Sequence, residues 1–133
     1  MAKLYYPAIF HNDEDGYWAE FPDLPGCVTD GDTVEETLAM AKEALEGYLF
    51  TAKDHGETFP KPSDPTDIPT SGKDFVSFIE YDEAAYLREH DNRAVKKTLT
   101  IPAWLNTLAK EHNLNFSNIL QNALRRELHL ERA

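Results

Sequence analysis

Three groups of side chains in this chain of 133 residues have types and spacings that could do chemistry. Asp23, Asp30, Asp32 and Glu36 are carboxylates close in sequence, the kind of set that holds two metal ions during nucleic-acid hydrolysis. Simpler roles account for three of them. Thr33-Val34-Glu35-Glu36 is a capping box: the Thr33 hydroxyl accepts from a backbone N–H three residues on, and Glu36 reaches back to the Thr33 N–H. Asp30 and Asp32 lie in a turn before that helix start, where negative charge is favoured. The second group is Cys27 with His11, His55, His90, His112 and His129. No two histidines have metal-ligand spacing. A single cysteine allows neither an internal disulfide nor a CxxC site, and Cys27 has no histidine beside it in sequence, so it reads as a small packed residue. The third group is Lys96, Thr98 and Thr100, at alternate positions of one short run. Lysine donates to guanine O6 and N7, while threonine hydrogen-bonds a base or touches a thymine methyl. Three such side chains on one face of a strand can therefore read DNA. The expectation is a binding protein with no catalytic residue, metal or cofactor.

A net charge of −11 argues against nucleic-acid binding until the chain is divided. Residues 1–90 hold 20 acidic and 6 basic side chains, a net of −14; residues 91–133 hold 4 and 7, a net of +3. Two modules with different partners are implied. The acidic one attracts a basic protein and repels phosphate, and the basic one can approach DNA. No run approaches the roughly 18 apolar residues of a membrane span. MAKLYYPAIF has one lysine, then a proline, and no small-residue cleavage site, so it does not read as a secretory signal. A soluble, cytoplasmic protein is expected.

The elements that position these groups can be read from patterning. Residues 3–10 and 17–22 are aromatic-rich runs of strand length joined by HNDEDG, whose Asp15-Gly16 signals a hairpin turn. Cys27-Val28-Thr29 is a short β-type piece among prolines and glycines. Val34, Leu38, Ala41, Leu45, Tyr48 and Leu49 then recur at helical spacing, from the Thr33 cap to an end between Phe50 and Asp54. Residues 54–73, with four prolines and two glycines, read as an exposed loop. Phe75, Val76, Phe78 and Ile79 mark a returning strand. Residues 82–92 are charged and fit a short helix or a linker. The first module is thus a small α+β domain, β-β-β-α-β, over residues 1–85, with a linker at 86–92.

In the second module, residues 93–133, Val95, Leu99 and Ile101 alternate with Lys96, Thr98 and Thr100, and Lys97 interrupts the apolar face. Pro102 stops the strand and suits the first turn of a helix. Leu105, Leu108 and Ala109 give that helix an apolar stripe. Asn113-Leu114-Asn115 is a turn, with an asparagine cap for a second helix whose inner side carries Ile119, Leu120, Ala123, Leu124 and Leu128. One strand with two helices cannot satisfy its own edges. The simplest partner is the same strand of a second copy, paired antiparallel about a two-fold axis. Leu99, Ile101, Leu105, Leu108, Ile119, Leu120 and Leu124 would form the dimer core. The two-stranded ribbon would carry Lys96, Thr98 and Thr100 into a major groove. Asn115, Phe116, Ser117 and Asn118, at the start of the second helix, would meet phosphate. A dimerisation arm without a DNA role is the plainer alternative.

Residues 94–128 resemble the ribbon-helix-helix family, to which the Arc and MetJ repressors belong. The resemblance rests on KKTLTIP, a following helix, and the Asn-rich turn before SNILQNAL. Two departures are Asn113, where glycine is common, and Asn118, where an acidic residue is usual. Residues 1–50 resemble the N-terminal domain of HicB-type antitoxins through GYWAEFPDLPGCVTDGDTVEETLAMAKEAL, residues 16–45. That resemblance implies a partial RNase H-like fold and a HicA-type partner, a small ribonuclease built like a double-stranded-RNA-binding domain. It also implies a C-terminal domain of the helix-turn-helix or ribbon-helix-helix kind, here the second.

The expectation is therefore an antitoxin that neutralises a HicA-like, mRNA-cleaving toxin through residues 1–85. Residues 93–133 would form a homodimer, bind operator DNA and repress the protein's own operon, within a toxin–antitoxin complex that could be of higher order. Toxin contacts are sought on the exposed sheet face or at the turn Asp13, Glu14, Asp15, which a solvated hairpin explains equally well. The alternatives are a repressor with a ligand-sensing first module, for which no phosphate-binding loop speaks, and a metal-dependent RNase H-like nuclease.

Overall fold

A computed structural model describes residues 3–130, so the expected module ends at residues 1–2 and 131–133 lie outside the described residues. Lys3–Asp13 (β1) and Gly16–Glu20 (β2) form an antiparallel hairpin in which Asp13 faces Gly16 across a two-residue turn, Glu14-Asp15. Gly16 has φ +136°, and a Cβ there would lie 2.7 Å from the Gly31 carbonyl oxygen, so only glycine suits the position. Val28–Gly31 (β3) pairs antiparallel with β2, and Phe75–Asp82 (β4) pairs antiparallel with β1. The sheet order is β3-β2-β1-β4. Pro7 falls before β2 begins to pair at Ile9, where β1 has β4 as its only neighbour and a missing N–H is tolerated.

Val34–Asp54 (α1) crosses one face of this sheet. The Thr33 hydroxyl accepts from the Glu36 N–H at 3.1 Å, as a capping box requires. The Glu36 carboxylate accepts from the Asp32 N–H at 3.3 Å, one residue earlier than the expected Thr33 N–H. Thr37, Ala41, Leu45, Leu49 and Ala52 form the buried stripe of α1. Of these, Ala41, Leu45 and Leu49 pack with Tyr6, Ala8, Phe10, Ala19, Phe21, Ile79 and Tyr81, with Leu24 and Cys27 closing the core. The residues expected beside that stripe, Leu38 and Tyr48, are partly buried at its margin.

Residues 55–74 are tied down more than a free loop. Asp23 accepts from the Ser63 N–H at 2.9 Å and from the Ser63 hydroxyl, the Tyr6 hydroxyl donates to the Pro60 carbonyl at 2.5 Å, and Pro65–Asp67 form a 3₁₀ turn. Of the short helix or linker that residues 82–92 fit, the helix is what forms. Glu83–His90 form a helix (α2) capped by the Asp82 carboxylate, which accepts from the Ala85 N–H at 3.2 Å. The Tyr86 ring packs against Tyr81 and Phe50, so residues that read as charged spacer are held by aromatic contact.

The chain divides into two compact units, Met1–Asn92 and Arg93–Ala133. The second contains Ala103–Glu111 (α3) and Phe116–Glu127 (α4). Pro102 is the N-cap of α3 rather than part of its first turn. Asn113 has φ +52°, the left-handed conformation that asparagine tolerates, and the Asn115 side chain caps α4 by accepting from the Asn118 N–H at 3.0 Å. Residues 94–101 are not a strand in the single chain. A strand needs a neighbour to complete its ladder, and no strand occurs among the described residues of this unit. Among the described residues, no helix is long and apolar enough to cross a membrane.

Candidate functional site

Strand alternation sends every second side chain of the sheet away from α1. On that open face Tyr5 stands opposite Glu80, Pro7 opposite Phe78, Ile9 between Val76 and Glu20, and His11 opposite Trp18. Tyr5 and Phe78 are 47% and 51% exposed, an unusual state for two large aromatics on adjacent strands. The Tyr5 hydroxyl donates to Glu80 at 3.0 Å, and Glu80 holds the Tyr5 proton, raising its pKa.

At one end of this face His11 lies between two carboxylates. Its Nδ1 is 2.8 Å from Asp74 and its Nε2 is 2.8 Å from Glu20, while its ring stacks on Trp18 with centroids 4.0 Å apart. A neutral imidazole donates from one nitrogen and accepts at the other, so the second contact is a hydrogen bond only when the ring or the facing carboxyl carries one further proton. The cluster joins β1, β2 and the residue before β4. Sequence reading missed it because Asp74 is 63 residues from His11, and because the turn falls at Glu14-Asp15, one residue before the expected Asp15-Gly16, which sets His11 opposite Trp18 rather than Glu20.

The expected acidic turn sits beside this cluster. Asp13, Asp15, Asp30, Asp32 and Glu36, with Gly16, Tyr17, Trp18 and Gly31, line a shallow concavity of about 370 Å³. Glu14 is exposed at the tip. Asp23, the fourth carboxylate of the nuclease alternative, is not with them, being bonded to Ser63. Among the described residues, no group of three or more histidine, cysteine or acidic side chains is placed to hold a metal ion. Cys27 is buried, and burial pushes its thiol pKa up to about 11, which makes it a packing residue. The open face and the acidic end together offer an apolar, aromatic centre rimmed by carboxylates. Such a surface suits a basic protein.

The second unit presents a different surface. None of its described residues is buried. Leu99, Ile101, Leu105, Leu108, Ile119 and Leu124 are all exposed, and Leu120 is half-buried. Lys96, Thr98 and Thr100 lie on the exposed 93–102 segment, in no strand and so without a common face in the single chain. Asn115, Phe116, Ser117 and Asn118 do open α4, but the Asn118 N–H is already taken by the Asn115 side chain and the Ser117 hydroxyl accepts from Gln121 at 2.9 Å. The backbone donors left to a phosphate there are those of Asn115, Phe116 and Ser117.

Comparison with known proteins bears on both surfaces. The family model described as "HicB_like antitoxin of bacterial toxin-antitoxin system" matches residues 6–123. Antitoxin HicB 2 of Photorhabdus laumondii is 44% identical over 78 residues, 57% of this chain and 51% of that protein. A chain of the toxin–antitoxin complex from Streptococcus pneumoniae superposes with a TM-score of 0.61 at 30% identity, covering 95% of this chain and 99% of the other. A chain of the HicA3 and HicB3 toxin–antitoxin complex superposes with a TM-score of 0.51 at 27% identity, covering 59% and 99%.

Proposed function

The chain belongs to the HicB-like antitoxin family of bacterial toxin–antitoxin systems, and from that premise we propose that it neutralises a HicA-like, mRNA-cleaving toxin by covering it with the open sheet face of the first unit. The observation that carries this reading is that face itself: exposed Tyr5 and Phe78, with Glu80 bonded to Tyr5 and with Glu20 and Asp74 on His11 at one end. A ribonuclease must be basic to hold RNA phosphates, so an acidic face both steers it in and competes with its substrate. Asp13, Glu14 and Asp15 extend the same negative surface. The sheet and α1 act as a partial RNase H-like platform without nuclease chemistry.

The second unit, in this reading, is a ribbon-helix-helix module. Support comes from its exposed leucines and isoleucines, which two copies would bury against each other. Pairing residues 94–101 between copies would complete the ladder and bring Lys96, Thr98 and Thr100 onto one outward face. The homodimer then binds operator DNA, with Asn115 to Asn118 near phosphate, and represses its own operon in the cytoplasm. Replacing Phe78 with Ala should weaken toxin binding by about 2 kcal/mol, roughly 30-fold in Kd, while leaving operator affinity unchanged. Replacing Lys96, Thr98 and Thr100 together with Ala should abolish operator binding in a mobility-shift assay and leave toxin binding intact. Unchanged affinity in either arm would overturn that half of the reading.

A further inference from the structure

The two outer edges of the sheet are finished differently. Along an antiparallel ladder, successive residues point their N–H and C=O groups to opposite sides. The Cys27 carbonyl accepts from the Phe21 N–H at 3.1 Å, so Cys27, Thr29 and Gly31 face β2. Val28 and Asp30 therefore turn their backbone groups outward, and among the described residues no hydrogen bond meets them. On the opposite edge, the Lys42 ammonium donates to the Glu80 carbonyl of β4 at 3.3 Å. Lysine at an edge strand is a common guard against further pairing. Strand β3 has no such guard.

Beside β3, on the α1 side of the sheet, runs a concavity of about 650 Å³. Gly26 to Thr29 bound it along the strand, and Met40, Ala44, Gly47 and Thr51 bound it along α1. A Cβ added at Gly47 would have nothing within 4 Å, so the middle of the groove is open. Glycine there costs about 1 kcal/mol of helix stability relative to alanine. Glu43 and Glu57 also line the groove, and among the described residues no lysine or arginine does. An unpaired strand edge beside an open groove is what an extended peptide needs to add as a further strand: main-chain bonds hold it, and alternate side chains enter the groove. A second copy is a poor occupant, because residues 1–90 carry a net charge of −14 and two such units repel. Charge favours a basic segment.

We propose that β3 and α1 form a docking groove for an extended, basic segment of a partner protein. The segment adds to Val28–Gly31 as a fifth strand, lays an apolar side chain over Gly47 and brings lysine or arginine to Glu43 and Glu57. The groove lies on the other side of the sheet from Tyr5 and Phe78. A partner seated in it leaves the open face free, and the inference stands apart from the antitoxin reading.

The probe is the peptide lysine-threonine-valine-threonine-lysine, acetylated and amidated, whose valine and two lysines share one face when extended. It is titrated into the full chain and followed by the backbone amide NMR signals. Saturable binding is expected, with the Val28 and Asp30 amides gaining protection from hydrogen exchange. Methylating the peptide nitrogens at one alternate set of positions should abolish binding, and at the other set should not, because only one set faces the edge. Gly47→Leu fills the groove with a better helix former and should weaken the probe about tenfold. Glu43→Gln with Glu57→Gln should weaken it about fivefold. A peptide with glutamate in place of both lysines should not bind. No saturation, no added protection at Val28 and Asp30, unchanged affinity in Gly47→Leu, or equal binding of the glutamate peptide overturns the proposal. Protection of those two amides without peptide, rising with protein concentration, would mean that a second copy holds the edge, and overturns it as well.

Discussion

Tyr81 has no exposed surface, and burial, reinforced by Glu83, Tyr86 and Glu46, pushes its phenol pKa from an ordinary 10.0 up to about 12. The folded chain therefore holds this proton more tightly than the unfolded chain does. The resulting stability is complete below pH 10 and is lost as pH rises through 12. Tyr81→Phe should retain more of its native circular dichroism than the parent between those values. Equal alkaline loss in the two proteins would remove Tyr81 as the cause. At the same scale, Cys27 and Asp23 show how residues that could do chemistry are used up by structure. The Cys27 thiol is packed in the core, and the Asp23 carboxylate ties the proline-rich segment to the domain.

At the scale of elements, two glycines have opposite meanings. Gly31 ends β3 where the sheet meets the first turn of α1, and a Cβ there would lie 2.6 Å from the Thr37 hydroxyl and 2.8 Å from the Thr37 nitrogen. Gly31→Ala should destabilise the first unit by about 1–3 kcal/mol, because backbone must shift to admit it. Gly47 lies inside α1 with nothing within 4 Å of a Cβ. Gly47→Ala should stabilise by about 1 kcal/mol, through helix propensity alone. Urea denaturation of both variants checks the pair, and a destabilising Gly47→Ala would mean that α1 is closely approached at that point. The elements most legible in sequence were those with local signals. These were the hairpin, signalled by Asp15-Gly16 although its turn is Glu14-Asp15, α1 from its cap and apolar spacing, and the α3–α4 turn from Asn113 and Asn115. For α2 the sequence left a short helix and a linker both open, because its anchor is Tyr86 meeting Phe50 and Tyr81 across the fold.

At the scale of the whole molecule, the two units differ in how complete they are. The first buries a core of its own around Tyr6, Phe10, Leu45, Leu49 and Tyr81. In the second, no described residue is fully buried, so its apolar side chains gain only part of what the hydrophobic effect offers in a single chain. If the proposed homodimer is built on these helices, Ile119→Glu with Leu124→Glu should give a monomer in sedimentation equilibrium, with the proposed operator binding lost and the first unit's cooperative unfolding kept. An unaltered mass would sink the idea that these helices associate.

The sequence by itself determined what depends on neighbours along the chain: the turn and cap positions, the stripe of α1, and the opposite charges of the two halves. It also carried the family resemblance, since a run as long as residues 16–45 is specific as a string of residues. Tertiary structure decided what depends on residues far apart. The sheet order β3-β2-β1-β4 set which side chains share the open face, and placed His11 between Glu20 and Asp74. Closure of the chain around α1 left one oxygen of Glu83 buried without a donor. Local signals fix backbone conformation within a few residues, whereas a site is a coincidence of distant side chains, which only the packed chain brings about.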